Sequence, residues 1–190
     1  MECGFVKGCE NDVEMTSCSG ALVVMETERL LVREMILEDV DALFAIMGKL
    51  EVMYAWEHGF TKGEVREWIG RQISRYREEG CGYYAVILKE NGLLIGQAGL
   101  LRSIMNGMKV VEVGYIFDNV YWHNGYGTEA ANACLEYAFG HLGLNTVYCS
   151  IRPENKASIR VAERLGMTLH GSHVGMYRGK EMPHLIYEKR

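Results

Sequence analysis

Apolar side chains recur along this chain at two spacings, three to four residues apart in some stretches and two apart in others, and the switches between them mark its elements. Residues 1–24 keep to neither spacing and read as an N-terminal extension outside the core; the regular pattern opens at Met25-Glu26-Thr27-Glu28-Arg29-Leu30. Arg29 to Arg33 is predicted as a strand, and Leu37 to Met47 as a helix with Val40, Leu43, Phe44 and Met47 on one face. Thr61 opens the next helix. Glu64 follows it at capping-box spacing, and Val65, Trp68, Ile69 and Ile73 make the apolar stripe.

Tyr83 to Lys89 and Leu93 to Leu101 are β-rich runs joined through Glu90-Asn91-Gly92, where Asn-Gly supplies the positive φ angles of a tight hairpin. A strand from Lys109 to Phe117, a helix from Thr128 to His141, a strand from Thr146 to Ile151 and a helix from Asn155 to Leu165 follow. Met167 to Met176 and Met182 to Tyr187 close the chain as a hairpin around Arg178-Gly179-Lys180. The pattern is mixed α/β (α+β), with antiparallel pieces and one strand-helix-strand unit.

A length of 190 residues, 48% apolar and 24% charged, suits one globular domain, assigned to residues 25–190. The net charge of −5 leaves no broad cationic field for nucleic acid or an anionic membrane. Six cysteines without a Cys-x-x-Cys pair signal neither a zinc knuckle nor a disulfide framework, and no apolar run approaches a membrane span. A cytoplasmic protein is expected. Monomer and homodimer both stay open.

Trp122-His123-Asn124-Gly125-Tyr126-Gly127-Thr128-Glu129-Ala130 lies between a predicted strand and a predicted helix. Glycines there let the backbone turn tightly, and the helix behind them presents unpaired amides and a positive dipole end, a setting for a diphosphate or simply a turn. Gly125-x-Gly127-x-x-Ala130 also satisfies the dinucleotide-binding pattern. Yet Asp118 to Asn124 separates the strand from the first glycine, and the next strand ends without the carboxylate that would hold a ribose. No Gly-Lys-Ser/Thr follows, so a nucleoside-triphosphate loop is excluded.

This loop, led by Glu112-Val113-Gly114-Tyr115-Ile116-Phe117, recurs together with Arg152-Pro153-Glu154-Asn155-Lys156-Ala157-Ser158 and Arg164-Leu165-Gly166-Met167. In that order and spacing the segments resemble the GNAT acetyltransferase superfamily, closest to its ribosomal-protein N-terminal acetyltransferase branch, which also typically opens with a segment like Thr27 to Arg33. The resemblance implies a strongly bent mixed sheet of about six to seven strands and about four helices, with two central strands splayed around the pantetheine arm of acetyl-CoA. By the same likeness Ile116, Phe117 and Asp118 would meet the pantetheine, amides of His123, Asn124, Gly125, Tyr126, Gly127 and Thr128 the diphosphate, and Asn155 the cofactor arm. Two positions depart from the pattern. Trp122 replaces the usual Arg or Gln, and Ala162 stands where many members carry a tyrosine that protonates the departing thiolate. Ser158 is the nearest substitute, or else a small residue at a packed contact.

Acyl transfer to an amine needs that amine neutral. At pH 7 a chain-terminal amine is free base to roughly 10–17%, an ordinary lysine to about 0.04%. Glu112 is the candidate base, directly or through water, on the strand face of Gly114, whose missing side chain leaves space; its plainer reading is a solvated glutamate. Tyr115 points to the opposite face and reads as core. His170 and His173, three apart on a strand, fall on opposite faces unless the strand bulges, so no metal is assigned. Trp56, His58 and Phe60 lie between the first two helices, a segment that by the resemblance often borders the acceptor site, though aromatic packing explains them as well, and Tyr83 and Tyr84 are similarly ambiguous. The expectation is direct N-acetyl transfer in a ternary complex to a primary amine, either a small molecule or a protein N-terminus. A non-catalytic acyl-CoA-binding sensor is the alternative.

Overall fold

The alternating segments become eight strands of one sheet in the computed structural model, which describes residues 20–190. They are β1 (Val23–Glu26), β2 (Leu30–Arg33), β3 (Tyr83–Leu88), β4 (Leu93–Met105), β5 (Met108–Phe117), β6 (Val147–Ile151), β7 (Thr168–Tyr177) and β8 (Lys180–Lys189). Their order is β1-β2-β3-β4-β5-β6-β8-β7. Only β5 and β6 run parallel; the other neighbours are antiparallel.

The strand beyond the expected six to seven is β1, too short to show alternation. It pairs with β2 through Met25↔Val32 and Glu26↔Leu31, and Ala21 and Met25 are buried, so the boundary expected between residues 24 and 25 runs through β1. The rest of the proposed extension, residues 1–19, lies outside the described residues, as do Cys3, Cys9 and Cys18. Cys81, Cys134 and Cys149 are free and buried.

Among the described residues four α-helices flank the sheet: α1 (Val40–Met47), α2 (Lys62–Glu78), α3 (Tyr126–Glu136) and α4 (Lys156–Arg164). α1 starts later than its apolar pattern because Leu37–Asp39 forms a 3-10 turn. Asp39 there receives a bidentate pair from Arg33 at 2.8 and 2.7 Å, which satisfies both buried charges. At α2 the capping box forms as its spacing requires: Glu64 N–H donates to Thr61 Oγ1 (3.2 Å) and Thr61 N–H to Glu64 Oε2 (2.8 Å). Those bonds from Thr61 hold the Glu64 carboxyl down at about 2.

Side-chain alternation divides the core between the two faces of the sheet, apart from a small third cluster of Met105, Val110 and Ile186. Tyr83, Ala85 and Ile116 pack with Leu43 and Ile69 of α1 and α2, while Tyr84, Val86, Val113 and Phe117 pack with Ala131 and Cys134 of α3 and Ala162 of α4. Leu43 and Ile69 are fully buried, each worth about 1.5–3 kcal/mol. The β3–β4 connection differs from the expected Asn-Gly turn. Only Gly92 takes a positive φ (71°), and Asn91 instead accepts the Leu93 N–H at 3.0 Å.

Candidate active site

β5 and β6 are in register at Glu112↔Tyr148 alone; beyond it they part, and a cleft of about 620 Å³ opens between them. Because the gap passes through the sheet, both faces line it. Glu112, Gly114 and Ile116 face the α1/α2 side, and Val113, Tyr115 and Phe117 the α3/α4 side.

At one end lies the glycine loop. His123 (φ 65°) and Gly125 (φ 84°) adopt left-handed conformations that turn the chain into α3. Among the described residues, the N–H groups of Gly125, Tyr126, Gly127 and Thr128 donate to no other protein group. Together with the helix dipole these four donors suit an anion. The loop is braced from a distant turn. Arg29 donates to Glu129 Oε2 through Nε (2.7 Å) and to the Asn124 carbonyl through Nη1 (3.0 Å), with its guanidinium carbon 4.5 Å from the Tyr126 ring centre. Thr27 Oγ1 donates to Glu129 Oε1 at 2.6 Å. Since C=O and N–H point in opposite directions across a trans peptide, holding the Asn124 carbonyl on Arg29 aims the Gly125 N–H away from it. Burial opposes the Glu129 charge, but the bonds from Thr27 and Arg29 outweigh it and hold the carboxyl below its ordinary value.

Of the residues singled out for the cofactor, His123, Gly125, Tyr126, Gly127 and Thr128 line the cleft, as do Ile116, Phe117, Asn155 and Ser158. Asn124 and Asp118 do not. Asn124 is turned outward, its amide donating to the Tyr121 and Trp122 carbonyls, while the Asp118 carboxylate pairs with Lys49 (2.7 Å) and its N–H serves Ile95. Asn155 caps α4, accepting the Ser158 N–H at 3.0 Å. Ser158 thus sits in the first helical turn, not in mid-helix, with its side chain toward the cleft. Ala162 is buried in the core.

On the α1/α2 side, Glu112 accepts a short hydrogen bond from the Ser103 hydroxyl. The space expected beside Gly114 is filled: a Cβ there would lie 1.9 Å from Tyr83 Oη, so the phenol occupies the position a side chain would take. Trp56 also lines the cleft, whereas His58 binds Glu64 (3.1 Å) and Tyr84 stacks on Tyr76 (5.0 Å) within the core. His184 of β8 is a further lining residue. Its Nδ1 donates to the Met182 carbonyl (2.8 Å), leaving Nε2 an acceptor, and burial, against that bond, lowers its affinity for a proton. A bulge between Leu169 and Gly171 brings His170 and His173 to one face, where they meet separate partners, Glu188 (3.2 Å) and Ser150 (2.6 Å). No group of three potential metal ligands occurs among the described residues.

On the α3/α4 side, Tyr115 lies against the glycine loop and beside Ser158. It lines the cleft and is not purely core. Cys149 stands opposite, and burial pushes its thiol up to about 12, so it carries no thiolate for nucleophilic chemistry at neutral pH.

Residues 29–168 match the family model described as "Acetyltransferase (GNAT) domain". YkkB of Bacillus subtilis is 33% identical over 165 residues, spanning 86% of this chain and 94% of its own. The N-acetyltransferase YnaD of the same species is 32% identical over 146 residues, 76% and 82% of the two chains. A GNAT-family acetyltransferase from Bacillus anthracis superposes with a TM-score of 0.73 at 26% identity, covering 87% of this chain and 96% of that one. RimL, a ribosomal L7/L12 α-N-protein acetyltransferase solved with CoA, shares the fold at a TM-score of 0.72 and 18% identity over 86% and 94% of the two chains. No described helix is long and apolar enough to cross a membrane.

Proposed function

The chain belongs to the GNAT acetyltransferase family, and from that premise we propose that it moves an acetyl group from acetyl-CoA directly to a primary amine in a ternary complex. The observation that carries this reading is the row of four unpartnered amides at the start of α3, beside a cleft that passes through the sheet where β5 and β6 part. The diphosphate of CoA meets those amides, and the pantetheine lies along the open edge of β5 near Ile116 and Phe117. RimL, solved with CoA, supports the assignment.

Glu112 draws in the acceptor's ammonium on the α1/α2 side and takes its proton, directly or through water. The amine then attacks the thioester carbonyl, whose developing charge is met by a β5 amide near Ile116. Ser158, on the opposite side, faces the leaving sulfur. Acceptors are small amines or protein N-termini.

Calorimetry with CoA, followed by thiol release from acetyl-CoA against panels of peptides, polyamines and small amines, tests the proposal. Binding with acceptor-dependent release is expected. Binding without release from any amine would make the chain an acyl-CoA sensor, and no binding at all would remove the premise.

A further inference from the structure

On the α1/α2 side the cleft has two lips. One is the segment after α1, where Ala55 and Trp56 line the opening; the other is the β7–β8 hairpin, which contributes Tyr177 and Met182. Ion pairs join them. Glu57, turned out of the 3-10 turn Tyr54–Trp56 by a left-handed φ of 56°, accepts from Lys180 Nζ in the hairpin and from Arg152 Nη2 just past β6 (3.4 Å). Arg152 Nη1 also donates to the Ala55 carbonyl (3.4 Å), and Arg178 of the hairpin turn lies 3.8 Å from Glu64 of α2. A clasp between distant segments over an opening limits what can pass. The cleft of about 620 Å³ must also hold the acetylated pantetheine arm, so an acceptor too long for the remainder has to leave between the lips.

The walls behind the clasp are largely apolar and carry one negative charge. Trp56, Leu101, Tyr177 and Met182 line them, and Glu112 is the only carboxylate lining the cleft among the described residues. Glu57 and Glu154 are engaged by Lys180 and Arg152, which in turn leaves Arg152 neutralised. His184 adds no charge at neutral pH, since burial lowers its affinity for a proton. A second ammonium would find no free carboxylate on this side, and an acceptor carboxylate no free cation. A flat hydrocarbon body would find aromatic and thioether surface.

We propose that the acceptor is a small arylalkyl monoamine that enters under the clasp, its ammonium at Glu112 and its ring against Trp56, Tyr177 and Met182. The inference rests on the acetyl-transfer reading and narrows its acceptor. The amine nitrogen forms the new C–N bond as the C–S bond breaks and its electron pair moves onto sulfur. Of the two protons the ammonium loses, one goes to Glu112 and the other, released as the amide forms, reaches the thiolate through solvent. The ring takes no part in that exchange, so its contacts act on binding and appear in KM. The Glu57–Lys180 pair makes the pocket a poor fit for a protein N-terminus, whose chain would have to run between the joined lips.

The test is thiol release from acetyl-CoA with 2-phenylethylamine, ethylamine, spermidine and a hexapeptide with a free N-terminus, in the wild type, Trp56→Ala and Lys180→Glu. In the wild type kcat/KM for 2-phenylethylamine should exceed that for each of the others at least about tenfold. Trp56→Ala should cut the ratio of 2-phenylethylamine to ethylamine at least about fivefold, mostly through KM, whereas a merely structural loss would lower both amines together. Lys180→Glu, a second route should the first variant fold poorly, sets like charge against Glu57 and should raise turnover of the hexapeptide relative to 2-phenylethylamine. A wild type that prefers the hexapeptide or spermidine would overturn the inference and leave the acetyltransferase intact. So would an unchanged amine ratio in Trp56→Ala together with an unchanged peptide ratio in Lys180→Glu. Release from no amine at all, with CoA bound, would remove the reading beneath it as well.

Discussion

The two ends of the cleft are built differently. At the glycine loop the groups that face the cleft are unpartnered backbone amides, with the loop braced by Arg29 and Glu129. Around Glu112 and His184 they are side chains from β5, β8 and the segment after α1, placed by burial and by single hydrogen bonds. The amide end depends on conformation, the side-chain end on chemical identity. A change that preserves shape should therefore spare the first and damage the second, and a change of backbone freedom should do the reverse.

Glu112→Gln separates the two most sharply. It keeps shape and removes the proposed base, so acetyl transfer near neutral pH should fall by about 10²- to 10⁴-fold and recover toward high pH, while CoA affinity stays. A pH–rate profile parallel to that of the wild type would remove Glu112 from proton transfer.

Gly125→Val acts at the other end. A β-branched residue at φ 84° is strained by about 1–3 kcal/mol, which should weaken CoA binding by roughly five- to 150-fold. Pantetheine lacking the diphosphate should bind the variant and the wild type alike. Equal losses for both ligands in calorimetry would mean that the whole site had collapsed.

Arg29→Ala probes the brace behind the loop and should weaken CoA by about three- to tenfold, with Lys restoring little because it lacks the forked geometry. An unchanged affinity would show that the loop holds its shape alone.

The smallest effect is one of pH. Glu129 has its carboxyl depressed by Thr27 and Arg29, so its contribution to folding is fully present above the unfolded value near 4.3 and is lost as pH falls through the lower folded value. Thermal melts of Glu129→Gln should lie below the wild type at neutral pH and converge with it as pH drops below about 4. A constant gap down to acid pH would mean that the charge contributes nothing.

Much of the scaffold is legible in the residues. Thr61 and Glu64 announce their capping box because both ends of the interaction lie within one helical turn. Gly125 announces the loop because the left-handed turn it makes (φ 84°) excludes most other residues, whereas Gly127 is already helical. Alternation also puts Tyr115 and Glu112 on opposite faces correctly. What it implies about Tyr115 is incomplete: in a continuous sheet the α3/α4 face would be core, but the parting of β5 and β6 opens that face to the cleft as well.

Local periodicity and turn chemistry, which act between residues a few positions apart, determined the helices, most strands, the glycine loop and the family resemblance from sequence alone. Only the tertiary structure decided that Arg29 clasps Glu129 across a separation of 100 residues, that Tyr83 fills the hollow at Gly114, and that His184 and Tyr115 border the same opening. Those contacts arise from packing distant segments into one core. A pattern of neighbouring residues does not encode which far segment arrives beside it.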